Sequence, residues 1–244
     1  MSKNYLLLGA SSDLCCAFLR RHEWQTSDKI IAQYFRNDAP LIEFQKNIPA
    51  EIILRQADFS DEVSTNNFAK YLKEENFCPT HILHVPAVPV ENQRFTEISW
   101  DDAIKQINVQ CRSLWQILQA VIPKMSKAKF GNIILVLSSV TLNVPPKFWS
   151  SYVMAKYALM GLGKSLAAEY APKNIRVNML SPSMIETKFI KNLHGLIVEQ
   201  SATNNPMKRN ATPEDVAGLI EYLFSDESAF ITGANIPVTG GENF

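Results

Sequence analysis

Tyr152 and Lys156 stand at i and i+4 in the segment YVMAK, a spacing that puts both side chains on one face of a helix. A free phenol has a pKa of about 10 and exchanges protons poorly near neutrality. A cation beside it favours the phenolate and lowers that value, which is the tuning general acid–base catalysis requires. Ser139 closes the apolar run NIILVLSS upstream, where its hydroxyl could orient a substrate oxygen beside the phenol. Together these residue types suit moving a proton onto or off an oxygen. A Tyr-x-x-x-Lys pair by itself is more often an accident of helical sequence.

The turn LLLGASSDLCC offers a second chemistry. A glycine between a first strand and a helix lets backbone approach a pyrophosphate at the helix N-terminus. Only Gly9 is present. Asp13 and Cys15 stand where further glycines would be expected, and the small residues Ala10, Ser11 and Ser12 keep close approach open. As a lone motif, an ordinary turn with Ser/Asp capping explains it equally well.

These candidates need elements to position them. Short apolar runs cover residues 5–8, 30–35, 51–55, 81–85, 132–137, 175–180 and 235–238. Helical patterns cover 14–21, 63–75, 100–125, 152–170 and 213–224. The runs lack polar alternation, which predicts a parallel sheet buried on both faces by helices. The expectation is a doubly wound, Rossmann-like α/β fold of three layers, in one domain spanning residues 1–244. Ligand should then bind at the carboxyl ends of the strands, where strand order reverses. The least regular stretch, about 183–212, reads as a substrate loop or lid.

Composition excludes other classes. The chain has 244 residues, 46% hydrophobic and 20% charged, with a formal net charge of zero. That balance predicts no nucleic-acid partner and no attraction to anionic lipid. No apolar run approaches the ~20 residues of a membrane span. The four cysteines, Cys15, Cys16, Cys78 and Cys111, form no C-x-x-C pair, so a reducing, cytoplasmic setting is expected. His81 and His84 are three apart on a strand and point to opposite faces, so no metal site is expected. Cys15 and Cys16 read as helix packing. Phe148 and Trp149 read equally as pocket wall or surface aromatics.

With order and placement taken together, the chain resembles the short-chain dehydrogenase/reductase family, in the single-domain type that includes the 3-oxoacyl-[acyl-carrier-protein] reductases. Asn108 in WDDAIKQINVQ, Ser139, Tyr152 and Lys156 match its catalytic residues. The stretch NIRVNMLSPSMIET matches the segment after its sixth strand, with Pro182, Ile185 and Thr187 at cofactor positions. ITGANIPVTGG is similar to its C-terminal signature, and Asp58 matches an acid that contacts the adenine amino group. The resemblance implies hydride transfer between a nicotinamide dinucleotide and a carbonyl or hydroxyl substrate, with Tyr152 exchanging the proton and Ser139 bonding the oxygen. It implies that Lys156 lowers the Tyr152 pKa and binds the nicotinamide ribose, and that Asn108 holds a water leading to solvent. Gly9, Ser11, Ser12, Asp13, Leu14, Asp58, Phe59, Pro86 and Ala87 complete the implied cofactor cradle.

The family's NAD-specific members carry an acid at the end of the second strand. Here that end reads AQYFRND, with Tyr34 and Phe35 at the position and Arg36 next. A guanidinium suits a 2′-phosphate, which favours NADP(H) over NAD(H). Asp13 and Asp38 oppose a phosphate, and a solvated surface arginine is the plain alternative. The family's Asn-Asn-Ala-Gly is Val85-Pro86-Ala87-Val88 here, and Pro86 has no backbone N–H to donate. Its Pro-Gly pair is Pro182-Ser183. All these departures touch the cofactor site and point to weakened or altered cofactor binding.

A small or carrier-bound carbonyl compound is the expected substrate. The two long helices resemble those that join family members into homodimers or homotetramers. Two alternatives stay open: an inactive cofactor-binding sensor or scaffold on the same fold, and a sugar-nucleotide epimerase or dehydratase. The latter usually carries a larger C-terminal substrate domain.

Overall fold

The computed structural model describes residues 2–242. Its strands are β1 (Asn4–Leu8), β2 (Lys29–Tyr34), β3 (Glu51–Gln56), β4 (His81–His84), β5 (Gly131–Val136), β6 (Ile175–Pro182) and β7 (Asn235–Val238). They form one sheet in the order β3-β2-β1-β4-β5-β6-β7. Every neighbouring pair is parallel. The helices are α1 (Asp13–Arg21), α2 (Ala39–Asn47), α3 (Glu62–Glu74), α4 (Trp100–Ile107), α5 (Ser113–Ala128), α6 (Ser150–Tyr170), α7 (Gly195–Asn204) and α8 (Pro213–Phe224).

Side chains alternate across the sheet and build a core on each side. Tyr5, Leu7, Leu83 and Ile134 pack against Phe18 of α1 and Ile220 of α8. Leu6, Leu8, Ile82 and Ile133 pack against Phe68 of α3, Leu114 and Val121 of α5 and Leu159 of α6. Both faces are buried, which is why the strands read as continuous apolar runs. Strand order reverses between β1 and β4, so the chain leaves those two strands in opposite directions and opens a crevice at their carboxyl ends.

Local chemistry ends the elements where the site needs them. Ser12 caps α1, its hydroxyl accepting from the Cys15 N–H at 3.3 Å. Thr212 and Asp215 form a capping box on α8, with Pro213 in the first turn. Gly9 has φ +74°, and a Cβ there would lie 3.2 Å from the Pro86 nitrogen. The turn after β1 therefore packs on the segment after β4 with no room for a side chain.

Three elements differ from the sequence expectation. The helix expected over 100–125 is interrupted by a π turn at Asn108–Arg112, between α4 and α5. A π turn keeps side chains near helical spacing, so the apolar pattern hides it. The expected irregular stretch contains α7, which buries no residue fully and so carries no strong periodic signal. Its ends are tied by a bridge between Ile185 and Ala211. α2 had no sequence signal either, because only Leu41 on it is buried.

Candidate active site

α6 begins at Ser150, so Tyr152 and Lys156 lie on its first two turns, facing the carboxyl ends of β5 and β6. Both are buried. Tyr152 sits in a small apolar cluster with Val90 and Val140, against Ala87, Trp149, Val153 and Phe189. Its ring is edge-on to Trp149 and tilted to Phe189, with centroids 6.2 Å apart in each case. A cavity of about 370 Å³ opens above the phenol. Of the residues expected at the site, Leu14, Ala87, Ser139, Tyr152, Lys156, Pro182, Ile185 and Thr187 line it. Trp149 is a wall of the cavity, whereas Phe148 is not and is half exposed, at φ +69°.

The phenol's hydrogen bond goes to Ser138, one residue before the expected Ser139, and both serines line the cavity. Ser138 was missed by sequence reasoning; the doubled serine at the strand end is the signal that could have found it. Burial pushes the Tyr152 phenol up to about 12, and the Ser138 hydrogen bond pulls the other way. Burial likewise brings Lys156 down to about 7, opposed by Cys111. The Lys156 ammonium donates to the Val136 carbonyl at 2.8 Å and lies 5.4 Å from the Tyr152 ring centroid.

The expected lowering of the phenol by Lys156 is therefore not what this arrangement gives. Spacing places both residues on one helix face, but the ammonium bonds the Val136 carbonyl of β5, and burial sets the direction of the phenol's shift. Asn108 opens the π turn, and the Cys111 thiol beyond it points at the Ala155 carbonyl of α6, 3.5 Å away.

Gly9, Ser11, Ser12, Asp13, Arg36, Asp58, Phe59, Pro86 and Asn108 do not line this cavity. The Gly9 N–H donates to the Gln33 side chain at 2.9 Å and the Ala10 N–H to the Gln33 carbonyl at 2.7 Å, which fixes the turn. The Asp58 carboxylate accepts from the Ser60 N–H and hydroxyl at 2.8 and 2.7 Å, and Phe59 is buried beside it. The exposed Arg36 guanidinium lies 4.5 Å from the Phe35 ring centroid, at the end of β2. Asp13, at the head of α1, accepts from the Lys188 N–H at 2.8 Å, and the Lys188 ammonium is 3.8 Å away. Ser11 and Ser12 thus precede a helix N-terminus suited to an anion, but the Asp13 carboxylate already stands there. Among the described residues, no group of three His, Cys, Asp or Glu could hold a metal ion. No helix of the described residues is long and apolar enough to cross a membrane.

A family profile described as enoyl-(acyl carrier protein) reductase matches residues 27–243. The chain belongs to the short-chain dehydrogenase/reductase family. Human dehydrogenase/reductase SDR family member 4 is 38% identical over 148 residues, covering 60% of this chain and 52% of that protein. The 3-oxoacyl-[acyl-carrier-protein] reductase of Buchnera aphidicola is 37% identical over 150 residues, covering 62% and 59%. The matches thus span little more than half the length of these relatives. Among solved structures, levodione reductase superposes with TM-score 0.88 at 21% identity, covering 98% of this chain and 97% of that one. A 4-hydroxyisoleucine dehydrogenase complexed with NADH gives TM-score 0.86 at 27% identity, covering 98% of each. The sheet order and the reversal at β1 and β4 are thus those of a short-chain dehydrogenase/reductase.

Proposed function

We propose that this chain is an oxidoreductase that moves hydride between NADP(H) and a carbonyl or hydroxyl group on a small or carrier-bound substrate. The observation that carries this is the convergence of Tyr152, Ser138, Ser139 and Lys156 on one apolar cavity beside the strand-order reversal. The fit to a nicotinamide dinucleotide rests on this chain's own groups. Leu14 on the first turn of α1 lines the same cavity as Pro182, Ile185 and Thr187, so the helix N-terminus and the segment after β6 meet at one site. When bound, the nicotinamide supplies or accepts the hydride.

Tyr152 holds the proton. With its pKa near 12 the phenol is neutral at pH 7 and serves as the acid that protonates a developing alkoxide. Ser139 and Ser138 donate hydrogen bonds to that oxygen and orient it. Lys156 binds the nicotinamide ribose hydroxyls through its ammonium and eases the return of the proton to Tyr152. Asn108, on the π turn, leads that proton towards solvent through a water. The apolar walls Val90, Val140, Trp149 and Phe189 exclude bulk water from the reacting oxygen.

Arg36 supports NADP(H) over NAD(H), because an exposed guanidinium at the end of β2 suits a 2′-phosphate. The half-exposed Trp115 on α5 and Tyr157 on α6 support a homodimer or homotetramer built on those helices. The second reading, a weakly active cofactor-binding sensor or scaffold, is favoured by the Asp13–Lys188 contact, which sets a negative charge where pyrophosphate would sit.

The test titrates NADPH and NADH by fluorescence, then screens carbonyl substrates with wild type and Tyr152→Phe. Wild type is expected to bind and turn over, and Tyr152→Phe to bind normally while losing at least a hundredfold in kcat, within the usual ~10²–10⁴ of general acid–base catalysis. Binding without turnover supports the sensor, and no binding of either nucleotide defeats both.

A further inference from the structure

His84 ends β4 and is fully buried, and neither of its ring nitrogens has a hydrogen-bond partner in the protein. Buried polar atoms are almost always satisfied, so an orphaned imidazole marks a place where a partner arrives. The strand register puts His84 beside the carbonyl that holds Lys156. His84 pairs with Leu135 on β5, and the next residue, Val136, holds the Lys156 ammonium on its carbonyl. Ile82, which shares the His84 face, packs in the core that includes Leu159 of α6, the helix that carries Lys156. An ammonium has three donors, and the protein occupies one. Burial first and then the Lys156 charge lower the His84 pKa.

We propose that His84 is a positioning residue for Lys156: its neutral imidazole accepts a hydrogen bond relayed from the ammonium across one water molecule, and so holds up the proton affinity of the buried lysine. This rests on the site assigned above and adds a residue to it. The titratable groups beside Lys156 are Tyr152 on α6 and Cys111 on the π turn. Burial holds both as neutral acids at pH 7, with Cys111 pushed up to about 11. At pH 7 both are uncharged, so a neutral acceptor carries the role. Burial and the ammonium together bring His84 down to about 3, which keeps it an acceptor throughout the working range.

The experiment reads the titration of Lys156 from its Cε NMR shift, assigned with Lys156→Met, in wild type, His84→Gln and His84→Leu. A hydrogen bond to a charged group is lost in His84→Leu, so the Lys156 midpoint is expected to fall by about one pH unit or more, a tenfold change in proton affinity. His84→Gln restores an acceptor and should leave the midpoint near that of wild type. A second measurement needs only folded wild type and Lys156→Met. The unprotonated His84 ring nitrogen should show the shift of a hydrogen-bonded acceptor in the first and lose it in the second. An unchanged Lys156 midpoint in a folded His84→Leu, or a His84 nitrogen indifferent to Lys156→Met, overturns the proposal. Neither measurement uses a dinucleotide, so failure to bind NADPH or NADH would defeat the functional reading and leave this test standing.

Discussion

Tyr152 and Lys156 are legible as a pair because i and i+4 spacing is a local property of one helix. Where the ammonium goes is not local: it depends on the Val136 carbonyl on another element. The choice between Ser138 and Ser139 is hidden for the same reason, since it turns on backbone geometry at the end of β5. Gly9 makes the opposite case, legible as a lone glycine and then justified by its positive φ and the nearness of Pro86. Gly9→Ala is expected to cost about 1–2 kcal/mol from the left-handed backbone, measured by urea unfolding. A cost near zero would mean that the turn relaxes freely. Lys156→Met carries a pH signature. With the folded lysine near 7 and the ordinary value near 10.5, the unfolded chain binds more protons between those limits. Wild-type stability should therefore rise with pH across that window, and Lys156→Met should flatten the rise.

At the scale of elements, strong patterns are legible and weak ones are not. β1, β2, β4, β5 and β6 and α1, α3, α6 and α8 have buried faces that the sequence pattern records. α2 and α7 bury little, so nothing in their composition separates them from loop. The Asp13–Lys188 contact joins residues 175 positions apart, and no local pattern could show it. It fastens the segment bearing Thr187 and α7 to the head of α1. Asp13→Asn removes the charge and loosens that fastening. Hydrogen exchange over residues 183–212 should quicken, and NADPH affinity should rise several-fold as repulsion of the pyrophosphate disappears. Unchanged exchange with unchanged affinity would mean that the contact holds nothing.

For the whole molecule, the order of apolar runs suffices to give a parallel sheet with a crevice at its carboxyl edge, because the inner strands β1, β4, β5 and β6 are buried on both faces. That burial sets the molecule's response to acid. His81 lies between the Tyr5 ring, stacked at 4.8 Å, and the Phe224 ring, and faces the Phe224 carbonyl at 3.2 Å from Nε2. Burial is the main cause that brings it down from 6.5 to about 3, and His84 on the opposite face is brought equally low. Between pH 6.5 and 3 the unfolded chain takes up protons on both histidines that the fold refuses. Stability is therefore lost as pH falls through that window, at up to about 1.4 kcal/mol per pH unit for each group. Urea midpoints at pH 6.5, 5.5 and 4.5 should decline steadily. Because the two residues lie in different cores, His81→Gln and His84→Gln should each remove part of the slope, and their effects should add. A midpoint flat from pH 6.5 to 4.5 would show that neither ring is held neutral by the sheet.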